Sequence, residues 1–200
     1  MKIRYEGNGT IAKILMDTDP ILVPIFVKTP FVEFETGSDY FRHLAGAIVT
    51  QQLSSRVADA IFRRLLEYTK NDLSPEKILV SPVDDLRSQG LSYRKAEYLK
   101  LLATRFVEDP GLFKSLSEKT DEEVTSILCE IKGIGQWTAE MFLMFTLGRE
   151  DVFSAGDYGL KRALSMLYNR PVNEKEATAM AKKWQPYRSV VSHFLWHYLD

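Results

Sequence analysis

The sequence predicts a mainly α fold. Apolar residues recur at steps of three and four through most of the chain. Strand-like alternation is nearly absent, and capping residues or Ser-Pro pairs open one segment after another. The first 35 residues are the least helical. There Pro20, Pro24 and Pro30 punctuate the stretch 21–34, which suits extended or broken structure packed on something larger.

From Ser38 onward each element has its own signal. Ser38 or Asp39 caps a helix with Phe41, Leu44, Ala45 and Ile48 on one face. Ser54 or Ser55 caps the next, with Val57, Ile61 and Leu65 inward. Short helices follow Ser74-Pro75 and Ser81-Pro82, with Ser as cap and Pro in the first turn, and Gly90 closes the second. A long helix spans 93–108 and turns Ala96, Leu99, Ala103 and Phe106 inward. Thr120-Asp121-Glu122-Glu123 is a capping box that opens a helix with Val124, Ile127, Leu128 and Ile131 on one face. Further helices are expected over 136–147, 157–168, 174–184 and 187–199.

Composition bounds the function. Two hundred residues fit one domain or two small lobes sharing a core. A hydrophobic fraction of 45% with 26% charged residues is ordinary for a globular chain and argues against long disorder. The net charge of −1 does not advertise a nucleic-acid binder. A DNA reader would need its positive charge gathered on one face. Arg56, Arg63, Arg64, Arg94, Lys95, Lys161 and Arg162 are available for that. The single cysteine, Cys129, excludes an intrachain disulfide and a four-cysteine metal site; its apolar helical setting predicts a buried, inert thiol. There is no signal-peptide pattern and no apolar run long enough for a membrane span, so a cytosolic, reducing location is expected. His193 and His197 have helical spacing for a metal but no evident third ligand.

Two short segments carry chemistry. The first is Ile131-Lys132-Gly133-Ile134-Gly135, between two amphipathic helices. Glycines two apart permit a tight turn with positive φ, and bare backbone N–H groups then converge at the start of the helix near Gln136. That arrangement suits a phosphate oxygen and needs no net side-chain charge. A plain helix–helix turn has the same appearance. The second is Asp157, in Ser154-Ala155-Gly156-Asp157-Tyr158-Gly159. An aspartate before a helical run is a favoured N-cap, and a cap also pins the carboxylate in place.

The run from Leu128 through Trp137-Thr138-Ala139 resembles the hairpin of the helix-hairpin-helix base-excision DNA glycosylases, and the likeness reaches from about Phe41 to Tyr198. The resemblance implies two helical lobes with a cleft between them: 38–147 as a central lobe holding the hairpin at 131–135, and 1–37 plus 148–200 as a second. It makes Asp157 the catalytic carboxylate, with Asp151 structural. It implies DNA backbone contacts at Lys132, Gly133, Ile134, Gly135, Gln136 and Thr138. It also implies a structural sodium or potassium ion on the carbonyls of Cys129, Ile131 and Ile134, with no cofactor required for the reaction. Relatives that nick the strand carry a lysine where this chain has Trp137, which has no nucleophile. The expectation is therefore monofunctional hydrolysis of N-glycosidic bonds in base excision repair.

A base must leave the duplex before a pocket acts on it, and something must fill the gap. The segment Thr50-Gln51-Gln52-Leu53-Ser54 resembles the family's wedge loop. Gln52 or Leu53 is the wedge, and an amide here departs from the apolar side chain of several relatives. Alkylated purines such as 3-methyladenine carry positive charge, which electron-rich rings attract. Trp196 matches a pocket tryptophan of the alkylpurine glycosylases; Trp137 is a second candidate. Met141 falls where some relatives have tyrosine. Trp184 fits core packing better. The expected partner is duplex DNA with alkylated bases, bound by a monomer. The expected setting is cytoplasmic, nucleoid-associated or nuclear according to source. The competing readings are a non-catalytic helix-hairpin-helix DNA-binding module and a helical protein-interaction domain.

Overall fold

The computed structural model describes residues 1–199, and at Ser55 the backbone alone. Contacts divide the chain into two compact units, 37–142 and 1–36 with 143–200. The N-terminal segment is more regular than its prolines suggest. Strand β1 (Lys2–Glu6) leads to α1 (Thr10–Thr18), a 3₁₀ turn, α2 (Val23–Lys28) and strand β2 (Phe31–Glu35). The two strands pair antiparallel, Lys2 opposite Glu35 and Glu6 opposite Phe31. Pro20 and Pro24 do not break helices. Each lies within the first two positions of a helical turn, where a missing N–H leaves nothing unpaired.

The unit 37–142 holds α3 (Tyr40–Thr50), α4 (Ser55–Tyr68), α5 (Pro75–Val80), α6 (Val83–Ser88), α7 (Tyr93–Glu108), α8 (Pro110–Lys114), α9 (Asp121–Cys129) and α10 (Gln136–Met141). Local signals explain most of the starts. Asp39, Ser74 and Ser92 each accept the N–H three residues on, and Thr120 with Glu123 forms the full capping box. Helix α7 packs against α3, α5 and α6. Its Ala96, Leu99, Leu102 and Ala103 are fully buried with Leu44, Ile48, Ile78 and Leu86.

Four local expectations fail here. Ser81 does not cap α6; its hydroxyl donates back to the Lys77 carbonyl, ending α5. Ser54 holds the N-cap position of α4 without a side-chain bond, and the Ser55 side chain lies outside the described residues. Val57 is exposed, because α4 buries Ala58, Ile61 and Leu65 instead. Cys129 is exposed, one residue past the buried Leu128 that the helix turns inward.

The other unit adds α11 (Tyr158–Leu167), α12 (Glu174–Ala181) and α13 (Arg188–Tyr198) to the N-terminal elements. A π-helical turn over Phe142–Thr146 carries the chain out of α10. The core joins Leu15, Leu22, Ile25 and Phe26 with Trp184, Val191, Phe194 and Leu195. Trp184 is fully buried, as core packing requires, and its indole N–H donates to Asp19 Oδ2 at 3.1 Å. That bond, with Tyr168 and Lys183 also at Asp19, compensates a carboxylate that is 6% exposed.

Candidate functional site

Asp157 stands at the N-cap of α11 with extended backbone angles. Its Oδ1 accepts the Leu160 N–H at 2.8 Å and the Trp196 indole Nε1–H at 3.0 Å. The first bond is ordinary capping. The second comes from α13, 39 residues on in sequence, and fixes the carboxylate's rotation as well as its position. Gly159 makes room for the pair. A Cβ there would lie 3.1 Å from both Asp157 Oδ1 and Trp196 Cδ1.

Behind Trp196 is an aromatic cluster. Phe145, on the π-helical turn, stacks on it at 5.6 Å between centroids and 29° between planes. His193 stacks on Phe34 at 4.4 Å and meets Phe145 edge-on at 4.9 Å. The His193 ring is 2% exposed, and its Nε2 has no hydrogen-bond partner among the described residues. Burial, with a smaller contribution from His197, pushes its pKa down to about 4, so the ring is neutral near pH 7. Trp196, Phe145 and Phe34 are each half-buried, and Asp157 is likewise half-buried beside them. Asp151 is held by Arg188, whose Nε and Nη2 reach its two oxygens at 2.7 and 3.1 Å.

In the unit 37–142 the hairpin has the expected turn, with one difference between its glycines. Gly133 adopts φ +103, and a Cβ would come within 2.4 Å of the Tyr98 ring. Gly135 is an extended N-cap residue with nothing within 4 Å of a Cβ. Gly133 is therefore required by the fold, and Gly135 is not. The first intrahelical bond of α10 runs from Ala139 to Gly135, so the N–H groups of Gln136 and Thr138 precede the helical ladder, as at any helix start. Lys132, Gly135 and Gln136 are exposed; Ile134 and Thr138 are 4% exposed. The Thr138 side chain faces Gln51, so its main chain is what it has to offer a phosphate. Trp137 is 46% exposed, and Met141 is half-buried at the end of α10. Within the hairpin the Ile131 carbonyl accepts the Ile134 N–H at 2.9 Å.

The loop after α3 places Gln52 and Leu53 at the surface. Gln52 has φ +56, a left-handed conformation uncommon outside glycine and asparagine. Among the basic residues, Arg56, Arg63, Arg64, Arg94 and Arg162 are exposed. Lys95 is not part of that face. Its ammonium turns inward and donates to the carbonyls of Val49 and Gln51, both at 2.7 Å. Sequence reasoning missed this, along with Phe34, Phe145 and Gly159, and it weighed His193 only as a metal ligand. Gly159 alone had a local trace, as the second glycine around Asp157-Tyr158.

A family model described as HhH-GPD superfamily base excision DNA repair protein matches residues 45–188. The chain is 34% identical over 191 residues to the DNA-3-methyladenine glycosylase of Saccharomyces cerevisiae, covering 86% of this chain and 64% of that protein. It therefore spans just under two thirds of that relative's length. It is 32% identical over 161 residues to DNA-3-methyladenine glycosylase 1 of Schizosaccharomyces pombe, covering 78% and 71%. Among solved structures, a Bacillus halodurans DNA-3-methyladenine glycosidase superposes with TM-score 0.85 at 36% identity, over 98% of this chain and 91% of that one. An S. pombe 3-methyladenine DNA glycosylase in complex with abasic DNA gives 0.74 at 27%, over 95% and 91%. The fold, the hairpin and a family match over most of the chain agree, and this chain belongs to the HhH-GPD superfamily of base excision DNA repair proteins.

Proposed function

We propose that the chain is a monofunctional DNA glycosylase. It hydrolyses the N-glycosidic bond of alkylated purines in duplex DNA, 3-methyladenine foremost, and leaves an abasic site in an unbroken strand. The observation that carries this is the Asp157 carboxylate, pinned through Oδ1 by a helix N–H and by Trp196. The names of the relatives support a glycosylase over a non-catalytic binding module.

As the C1′–N bond breaks, positive charge builds on the sugar. A fixed carboxylate stabilises that oxocarbenium-like state and accepts a hydrogen bond from the incoming water. The water's oxygen bonds C1′ and its proton passes to the carboxylate or to solvent. A cationic alkylated base departs neutral, so no acid is needed at the leaving group. Trp196 attracts that cationic base through its ring face, supported by Phe145. Trp137 and Met141 are further candidate base contacts, Met141 the less selective of the two. No amine stands at position 137 to attack the sugar.

DNA is held by the backbone N–H groups of Gly133, Gly135, Gln136 and Thr138 with Lys132 beside them, the Ile134 N–H being engaged by the Ile131 carbonyl, and Gln52, with Leu53 next to it, is the wedge. The carbonyl oxygens of Cys129, Ile131 and Ile134 would hold a sodium or potassium ion, which takes oxygen ligands, with one Ile131 lone pair already used by Ile134. The ion would fix the hairpin and takes no part in bond cleavage. The protein acts as a monomer where the genome lies.

Wild type and Asp157→Asn, incubated with methylated duplex, decide the matter. Released base and strand breaks before and after alkali are measured. The expected result is free base and alkali-dependent breaks from the wild type only, with duplex binding kept in the variant. Breaks without alkali would overturn the monofunctional claim. Duplex binding by the wild type with no base release would leave a binding module.

A further inference from the structure

Gln52 has a side chain in a backbone conformation that disfavours one. Such a conformation persists only where its surroundings over-determine it. Here the surroundings are identifiable. Helix α3 ends at Thr50, leaving the carbonyls of its last turn, after Ala47, without an i+4 helical partner. The Lys95 ammonium supplies donors to Val49, in that turn, and to Gln51 just beyond it. A cation at a helix C-terminus is favoured, and both bonds are charge-assisted. The Gln51 carbonyl shares a peptide plane with the Gln52 N–H. Holding that carbonyl holds the plane before Gln52, the Leu53 N–H on the Thr50 carbonyl at 3.3 Å holds the plane after it, and the two together set the φ of Gln52.

The same turn is tied to the hairpin. Gln51 Nε2 donates to the Gly133 carbonyl at 2.9 Å and lies 3.4 Å from Thr138 Oγ1. Helix α7 reaches both pieces. It carries Lys95 under the turn and, three residues on, Tyr98 against Gly133. Gln51, Gln52, Lys95, Tyr98 and Gly133 line one concavity.

We propose that Lys95 is a positioning residue which, with Gln51, presets Gln52 for insertion and makes the wedge turn and the hairpin one rigid body. Lys95 acts through Gln52 and does not touch DNA. This rests on Gln52 being the wedge. Its physical benefit is preorganisation, since the turn is ordered on folding and not at the moment a base is everted.

The test uses the full chain with Lys95→Met, Gln51→Leu, Gln52→Ala and the Lys95→Met/Gln52→Ala pair. Three readouts are taken: single-turnover base release, affinity for undamaged duplex, and fluorescence of a 2-aminopurine next to the lesion, which rises on unstacking. Lys95→Met is expected to slow base release about tenfold, to suppress the fluorescence rise and to leave duplex affinity within about twofold. Added to Gln52→Ala, it is expected to cost nothing more. Thermal melts check folding; if Lys95→Met does not fold, Gln51→Leu, which keeps the end of α3 capped, carries the same comparison. A loss of duplex affinity matching the loss of base release would make Lys95 a phosphate contact and overturn the proposal. So would effects of Lys95→Met and Gln52→Ala that multiply. Normal activity in Gln52→Ala would overturn the wedge reading itself. A slow Gln52→Ala beside fast Lys95→Met and Gln51→Leu would overturn the brace alone.

Discussion

The hairpin and the Asp157 loop both place polar groups at the start of a helix, and they do so by opposite means. The hairpin works through main chain: Gly133 turns, Gly135 caps, and α10 begins with main-chain N–H groups at its start. The Asp157 loop works through one side chain whose second partner, Trp196, comes from another helix. A backbone cradle is specified by what is missing, so it tolerates change at most side chains and fails at a glycine. A carboxylate site fails at one atom group while its helix survives.

The largest expected effect follows from that contrast. Asp157→Asn should lower base release by about 100-fold or more, with little change in stability, because asparagine caps a helix as well as aspartate does. Asp157→Ala should lose the same activity and about 1 kcal/mol of stability as well. If Asp157→Asn kept activity and Asp157→Ala lost it through unfolding, the loop would be structural like the hairpin.

Next is the buried imidazole in the Asp157 unit. The folded pKa of His193 is depressed to about 4 from the ordinary 6.5. Its contribution is fully present above pH 6.5 and is lost as pH falls toward 4, because the unfolded chain takes up the proton first. The loss is about 3 kcal/mol when complete. Denaturant midpoints at pH 7 and pH 4.5 should therefore differ less in His193→Phe than in the wild type. Equal differences would refute the assignment, and carboxylates common to both proteins cancel.

Gly133→Ala should cost about 2 kcal/mol, since it strains φ and displaces Tyr98. Gly135→Ala should leave the melting temperature nearly unchanged and weaken duplex affinity if the chain approaches phosphate closely there. Trp196→Phe retains a ring and removes a donor from Asp157, so base release should fall about tenfold with duplex affinity unchanged. The smallest effect is expected for Gly159→Ala. Alanine favours the helix by up to about 1 kcal/mol, so stability should hold while crowding of Asp157 and Trp196 lowers base release a few-fold.

What was legible in the sequence follows the same division. Helices with caps and apolar stripes could be read, as in α7 and α9, because both signals are local. The Gly-Ile-Gly turn could be read for the same reason. The 3₁₀ turn after α1 and helix α2 could not, because Pro20 and Pro24 lie at first-turn positions that only the register reveals. The Asp157–Trp196 bond and the Phe145–His193 cluster join residues with no shared period. Lys95 misled, since a basic residue on an amphipathic helix looks like solvated surface until the carbonyls it reaches are known.

The unit containing Asp157 is assembled from both ends of the chain, and this bears on how the protein is made. On the ribosome, residues 37–142 have all their own partners once residue 142 has emerged. The first 36 residues do not. Their two-stranded sheet is too small to stand alone, and the partners of Leu22, Ile25 and Phe26 include Trp184 and Phe194, which are synthesised long after them. These apolar side chains thus wait for cover, and closing so long a loop is slow. A nascent chain stalled before α13 would leave the apolar side chains of the first 36 residues uncovered, open to chaperones and proteases.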